Sequence, residues 1–154
     1  MKTRNSLVIL LLVAMAGMFY SFVSPMGGEG FQIYIDHKLV LEKFHHELKK
    51  PTNLVINPSQ ANSTLEVKFY HCGMPGKSRS LSLKDANKNL LQRWEFTNEA
   101  AKNFAVALPV KEIINFQQKA GSATLYLYYS SKEASDGRLL TGLIPPGRSA
   151  ETTR

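Results

Sequence analysis

The chain has 154 residues and a formal net charge of +7, with 44% hydrophobic and 20% charged residues. One domain is expected at this length, and the composition excludes a chain that is disordered throughout. The basic residues are scattered and no nucleic-acid-binding motif occurs, which argues against a nucleic-acid partner. The positive excess favours weak association with anionic surfaces.

The N-terminus carries the pattern of an export signal. Lys2 and Arg4 form a positive start, and an apolar run follows from Leu7 to Val23. We therefore predict that residues 1–24 form a hydrophobic signal helix, either a signal peptide or a signal anchor. The rest of the chain is then periplasmic or extracellular.

Cleavage and retention of this helix both remain open. Ala14-Met15-Ala16 is a small-residue cleavage site, and cleavage is the favoured outcome. Alternatively, the 18 residues from Leu7 to Ser24 are about the minimum for crossing a bilayer and would anchor the chain in the inner membrane. This segment is the chain's one expected contact with a membrane.

Residues 25–30 are Gly-rich and predict a flexible spacer, after which a domain is expected over 31–144. Phe31, Ile33 and Ile35 alternate with polar residues, as in a strand with one buried face. A second strand follows over 38–44. Its apolar run Leu39-Val40-Leu41 predicts a strand buried on both sides.

The central stretch predicts an edge strand and then a three-strand meander. Pro51 and Pro58 bracket the apolar run over 52–56, which favours an edge strand or a packed loop. From Ser63 to Phe96, three alternating segments are joined by turn residues. Asn62 begins an Asn-Ser-Thr acceptor pattern, relevant where the producing cell glycosylates exported proteins.

The C-terminal third predicts strands over 104–108, 124–129 and 138–144. Between the first two, a short helix is expected over 109–118. Its face with Ile113 and Ile114 is expected to close the fold. Residues 145–154 predict a disordered tail. The fold class expected from these elements is all-β, an antiparallel β-sandwich of about eight strands with one short helix.

Two clusters are candidates for metal binding or hydrolysis. His71 and Cys72 carry soft ligand atoms, and the glycines that follow let a strand end between them. His45, His46 and Glu47, with His37 as a further member, form the second cluster. Adjacent residues of a strand point to opposite faces, so we expect no metal and no cofactor. Cys72, the only cysteine, is expected to be buried as a small apolar residue.

A third candidate is a binding face on the strongest predicted strand. Tyr126, Tyr128 and Ser130 share the side opposite the core positions of that strand. If this side is open, it offers a row of tyrosines to a glycan or a peptide. The alternative is that both rings pack against a neighbouring strand with their hydroxyls at the rim.

Two passages carry a resemblance. The segment from Gly30 to Asp36, His71-Cys72-Gly73 with Gly76-Lys77, and the segment from Leu127 to Glu133 resemble small, uncharacterised exported all-β proteins of bacteria. The stretch around Leu83, Leu90 and Trp94 resembles the hairpins of bacterial immunoglobulin-like or C2-like β-sandwich modules. Neither resemblance implies catalytic residues.

The functional hypothesis is an exported, non-enzymatic β-sandwich that binds an unknown protein or glycan partner in the cell envelope. One alternative is a small metal-binding or hydrolytic protein that uses His71 and Cys72 with a loop histidine. Another is a membrane-anchored subunit of a larger assembly.

Overall fold

The computed structural model describes residues 28–97 and 104–147. These residues form nine strands and one α-helix, together with short 3-10 helices at His45–Lys49 and Pro58–Gln60. The strands are β1 (Gly30–Ile35), β2 (Lys38–Phe44), β3 (Asn53–Val55), β4 (Thr64–Tyr70), β5 (Arg79–Lys84), β6 (Leu90–Phe96), β7 (Ala105–Pro109), β8 (Leu125–Ser130) and β9 (Arg138–Ile144), and the helix is α1 (Val110–Lys119).

The strands form two sheets. The four-stranded sheet has the order β2-β1-β4-β7, and the five-stranded sheet has the order β3-β9-β8-β5-β6. The prediction of an all-β, sandwich-like fold is confirmed at this level, and strands β4, β5 and β6 match the predicted meander segments. The meander itself is divided, because β4 belongs to the first sheet and β5 and β6 to the second.

Alternation of apolar residues creates the core between the sheets. Phe31 and Ile33 of β1 and Val67 of β4 face Leu83 of β5 and Leu127 of β8, and each is at most 2% exposed. Complete burial of such a side chain stabilises a fold by about 1.5–3 kcal/mol. The chain has one cysteine and can form no disulfide within itself, so burial has to supply its stability.

Two strands depart from the predictions. The expectation that β2 is buried on both sides is wrong: Leu39 is 44% and Val40 36% exposed. The reason is that β2 pairs only with β1 and forms the edge of its sheet. Strand β3 is the predicted edge strand, but it runs parallel to β9. The chain leaves β2 at the end of the fold where β9 begins, so it enters β3 in the direction of β9.

Helix α1 closes one end of the fold, as predicted. Ile113 and Ile114 are buried in the core cluster. The indole Nε1 of Trp94 donates to Oε2 of Glu112 at 2.8 Å, and Nε2 of Gln117 donates to the Leu143 carbonyl at 3.1 Å. Loops form the opposite end, which contains the first candidate site.

None of the helices in the described part of the chain has the length and apolar character needed to span a bilayer. The predicted signal helix, residues 25–27 of the predicted spacer and residues 148–154 of the predicted tail lie outside the described residues.

Candidate functional site

Two loops are hydrogen-bonded to each other at the end of the fold opposite α1. One loop follows β4 and the other follows β8. The amide of Lys132 donates to the Lys77 carbonyl at 2.8 Å, and the amide of Lys77 donates to Oε2 of Glu133 at 2.9 Å. The latter hydrogen bond is the main cause that holds the pKa of the Glu133 carboxyl below its ordinary value.

A chain of polar side chains connects these loops to the start of β1. Nε2 of His71 lies 3.1 Å from Oγ of Ser131, and Nδ1 of His71 lies 3.4 Å from Oε1 of Glu29. Nε of Arg138 lies 3.3 Å from the other oxygen of Glu29. Both histidine contacts are satisfied when Nδ1 carries the proton and Nε2 accepts from the serine hydroxyl.

Aromatic rings hold this histidine in place. The ring centroid of His71 lies 4.9 Å from that of Phe69, which stacks on Tyr129 at 4.4 Å. Burial raises the pKa of the Tyr129 phenol. Gly76 approaches this group so closely that an added Cβ would lie 2.5 Å from the Tyr129 hydroxyl and 2.7 Å from the Ser131 hydroxyl. Glycine is therefore required at this contact.

The order serine, histidine and carboxylate is that of a nucleophilic relay. However, Ser131 is only 6% exposed, and its Oγ already accepts the amide of Ala134 at 3.2 Å. The amides of Lys77, Lys132 and Ala134, which would be needed to stabilise an oxyanion, all donate to protein acceptors. These contacts favour a role in tying the loops together.

The sequence did not indicate Ser131 or Glu29 as partners of His71. Glu29 falls within the predicted flexible spacer, and Ser131 lies 60 positions from His71. No spacing rule joins residues this far apart, because their contact depends on the packing of one sheet against the other.

The other predicted ligands are not brought together. His37 is 86% exposed in the β1–β2 turn, where its Nδ1 lies 2.8 Å from Oε1 of Glu66. His45 and His46 are both exposed, with ring centroids 6.1 Å apart. Among the described residues, no group of three or more His, Cys, Asp or Glu side chains is placed to hold a metal ion.

The prediction that Cys72 is buried is wrong. Cys72 is exposed and has a backbone φ of 51°. It lies in a tight turn closed by two hydrogen bonds between the backbones of His71 and Met74. The turn lies beyond the end of β4, outside the layer that packs against the core.

The third candidate site lies on the outer surface of the five-stranded sheet. Leu125, Leu127 and Tyr129 of β8 point into the core, so Tyr126, Tyr128 and Ser130 lie on the opposite side and are partly exposed. We call these three residues the tyrosine face.

Small and cationic side chains surround the tyrosine face. Tyr126 lies between Gly142 of β9 and Lys84 of β5, and Tyr128 lies between Leu139 and Ser82. The ammonium of Lys84 lies 4.5 Å from the centroid of the Tyr128 ring, a cation–π contact. Leu139 is 39% exposed beside it. The face thus combines aromatic rings, an apolar side chain and a positive charge.

The outer surface of the four-stranded sheet provides a comparison. There the hydroxyls of Tyr34 and Tyr70 both donate to Oε1 of Gln32, at 2.8 and 3.0 Å. The hydroxyls of Tyr126 and Tyr128 make no such bond to another described residue. The two sheets therefore differ in whether their outward tyrosines are occupied within the protein.

Comparison of the chain with protein-family models, with curated proteins and with solved structures finds no match.

Proposed function

We propose that this protein is an exported, non-enzymatic binding module of the cell envelope, periplasmic or at the cell surface, built on an immunoglobulin-like or C2-like β-sandwich. Its ligand binds at the tyrosine face. The export-signal pattern predicted over residues 1–24 supports the location. The two sheets of mainly antiparallel strands support the assignment to this kind of module.

The observation that carries the proposal is that neither tyrosine hydroxyl of the tyrosine face bonds to another side chain or backbone group in the described part of the chain. Tyrosine offers a large rigid contact surface and a polar handle at a low cost in conformational entropy, which is why binding surfaces favour it. On the four-stranded sheet, the tyrosine hydroxyls donate to Gln32. On the five-stranded sheet, the tyrosine hydroxyls are available to a ligand.

A saccharide fits this face better than a protein does. The centres of protein–protein interfaces are depleted in serine and lysine. Here Ser130 and Lys84 flank the two tyrosine rings at the surface, and Ser82 lies buried beside Tyr128. Hydroxyl groups at this density match a ligand that itself consists of hydroxyls. We therefore place a glycan of the envelope first and a protein partner second.

The test is binding of purified envelope polysaccharide to the exported product, measured by isothermal titration calorimetry. Tyr128→Ala should weaken binding by about threefold to tenfold, since an aromatic contact contributes about 0.5–1.5 kcal/mol. Tyr34→Ala is the matched control, because its ring also lies under a lysine, with Nζ of Lys68 4.8 Å from the centroid. Equal affinities for both variants would reject the tyrosine face as the site. If the exported product instead retains an envelope protein, and Tyr128→Ala abolishes that retention, the partner is a protein.

A hydrolytic function is the second candidate, because Ser131, His71 and Glu29 stand in relay order. Hydrolysis of p-nitrophenyl acetate that disappears in both Ser131→Ala and His71→Ala would establish it.

Intact-mass analysis of the exported product separates the binding module and the hydrolase from a membrane-anchored subunit. Loss of the first 16 to 24 residues rules out the anchor.

A further inference from the structure

A groove of about 500 Å³ opens where β5 begins and β6 ends. Two arginines, three hydroxyl side chains, one acidic residue and one aromatic ring line it: Ser78, Arg79, Ser80, Arg93, Glu95, Phe96 and Thr97. A lining of guanidinium and hydroxyl donors is typical of sites that bind oxyanions.

Ser80 is the buried polar residue of this groove. It is 1% exposed, and its hydroxyl meets no hydrogen-bond partner among the described residues. A buried hydroxyl without a partner costs free energy, so native structures rarely retain one. Ser80 lies beneath the groove surface, so a ligand oxygen that displaces the covering side chains would accept from this donor.

Arg93 supplies the positive charge at the rim. It is 51% exposed and pairs with Glu95, which is 78% exposed, at 3.3 Å. An exposed ion pair of this kind contributes little stability, so the guanidinium can exchange Glu95 for an anion at small cost. Arg79 is 4% exposed and donates to the Phe104 carbonyl at 2.8 Å, which fixes a second positive charge beside the groove.

The groove and the tyrosine face are continuous. Ser82 pairs with Tyr128 on one side and with Arg93 on the other, and Ser80 pairs with Ser130. Arg93 and Tyr128 therefore lie two strand spacings apart, about 10 Å. The exposed Arg93 side chain can extend across part of this distance, so a single hexose with a charged substituent can contact both residues.

We propose that the ligand is an acidic saccharide whose oxyanion, a carboxylate or a phosphate, binds Arg93 and Ser80 while a sugar ring contacts Tyr128. This inference rests on the proposed function and specifies its ligand. The positive net charge of the chain favours the approach of such a ligand.

The experiment uses three hexoses that differ at one position: glucose, glucuronate and glucose 6-phosphate. Each is titrated into the ¹⁵N-labelled exported product at constant ionic strength, with acetate and inorganic phosphate as sugar-free anions. We expect saturable shifts of the Ser80, Ser82 and Arg93 amides for at least one acidic hexose, with affinity at least tenfold above that of glucose. Comparison of glucuronate with glucose 6-phosphate identifies the anion.

Two variants that should change the affinity in opposite directions, and one control variant, accompany the titration. Arg93→Gln should weaken binding of the acidic hexose by about tenfold or more, since a charge-assisted hydrogen bond is lost. Glu95→Gln should strengthen it, because a competing carboxylate is removed. Lys38→Gln removes the same charge as Arg93→Gln from the edge of the other sheet and should leave the affinity unchanged.

The outcomes separate this inference from the proposed function. Equal affinity for the three hexoses, with shifts at Tyr128, overturns the inference and leaves the binding module standing. Acetate or phosphate binding as tightly as the acidic hexoses also overturns the inference, because the sugar ring then contributes nothing. Absence of shifts at Ser80 and Arg93 with every probe, or equal losses in Arg93→Gln and Lys38→Gln, also overturns the inference.

Discussion

Nε2 of His71 and Oγ of Ser131 lie 3.1 Å apart, although the two residues are 60 positions apart in the chain. The contact joins the loop after β4, in one sheet, to the loop after β8, in the other. It therefore fastens the two sheets together at the end that α1 does not close.

Ser131→Ala should lower the free energy of unfolding by about 1–3 kcal/mol, because Nε2 of His71 and the amide of Ala134 each lose a buried partner. Urea denaturation measures the change. Ser135→Ala, in the same loop but exposed, is the control and should change stability by less than about 0.5 kcal/mol. Equal stability of the two variants would show that the contact does not fasten the sheets.

Gly76→Ala should cost about 1–3 kcal/mol, because the added Cβ meets the Tyr129 hydroxyl at 2.5 Å in a packed interior. Tyr129→Phe removes that hydroxyl, so the double variant should recover part of the loss. A double-mutant cycle in urea gives the coupling energy. Additive effects would mean that the loop moves away from Tyr129 without cost.

Asp85→Asn should destabilise the β5–β6 turn at neutral pH. Hydrogen bonds from the side chain and amide of Asn89 and from the amide of Asn87 hold the pKa of Asp85 below its ordinary value of 3.8. A lowered folded pKa means that this stability is present at pH values above 3.8 and is lost as the pH falls through the folded pKa.

The measurement is urea denaturation of wild type and Asp85→Asn over a series of pH values. The stability difference should shrink on acidification below about pH 4. Asp136→Asn, which removes an exposed carboxylate from another loop, controls for the change in net charge. A difference between wild type and Asp85→Asn that stays constant down to acid pH would contradict the assignment of the hydrogen bonds.

Cys72 should react with a small disulfide reagent in the native state, at a rate that does not depend on denaturant, because its side chain is exposed. Cys72→Ser should change the free energy of unfolding by less than about 0.5 kcal/mol, as expected for an exposed position. A thiol that reacts only when the protein unfolds would contradict the exposed turn.

Local patterns in the sequence determined which segments are strands and, for most of them, which side faces the core. The alternation of Leu81 and Leu83 with Ser80 and Ser82 indicates one core face, and the structure buries both leucines completely. The serine side, predicted to be wet, is also buried, because β5 lies between β8 and β6. A period of two is a property of a single strand and requires no knowledge of its neighbours. The position of Tyr126 and Tyr128 on the outer face follows from the same parity.

The pairing of those strands was decided by the tertiary structure alone. Whether Leu39 and Val40 are covered depends on β2 being an edge strand, and the position of Cys72 depends on where β4 ends. The contact of Ser131 with His71 and the continuity of Arg93 with Tyr128 depend on which strands lie side by side. Each is a relation between segments distant in sequence, and the free energy that selects it comes from the packing of the whole core.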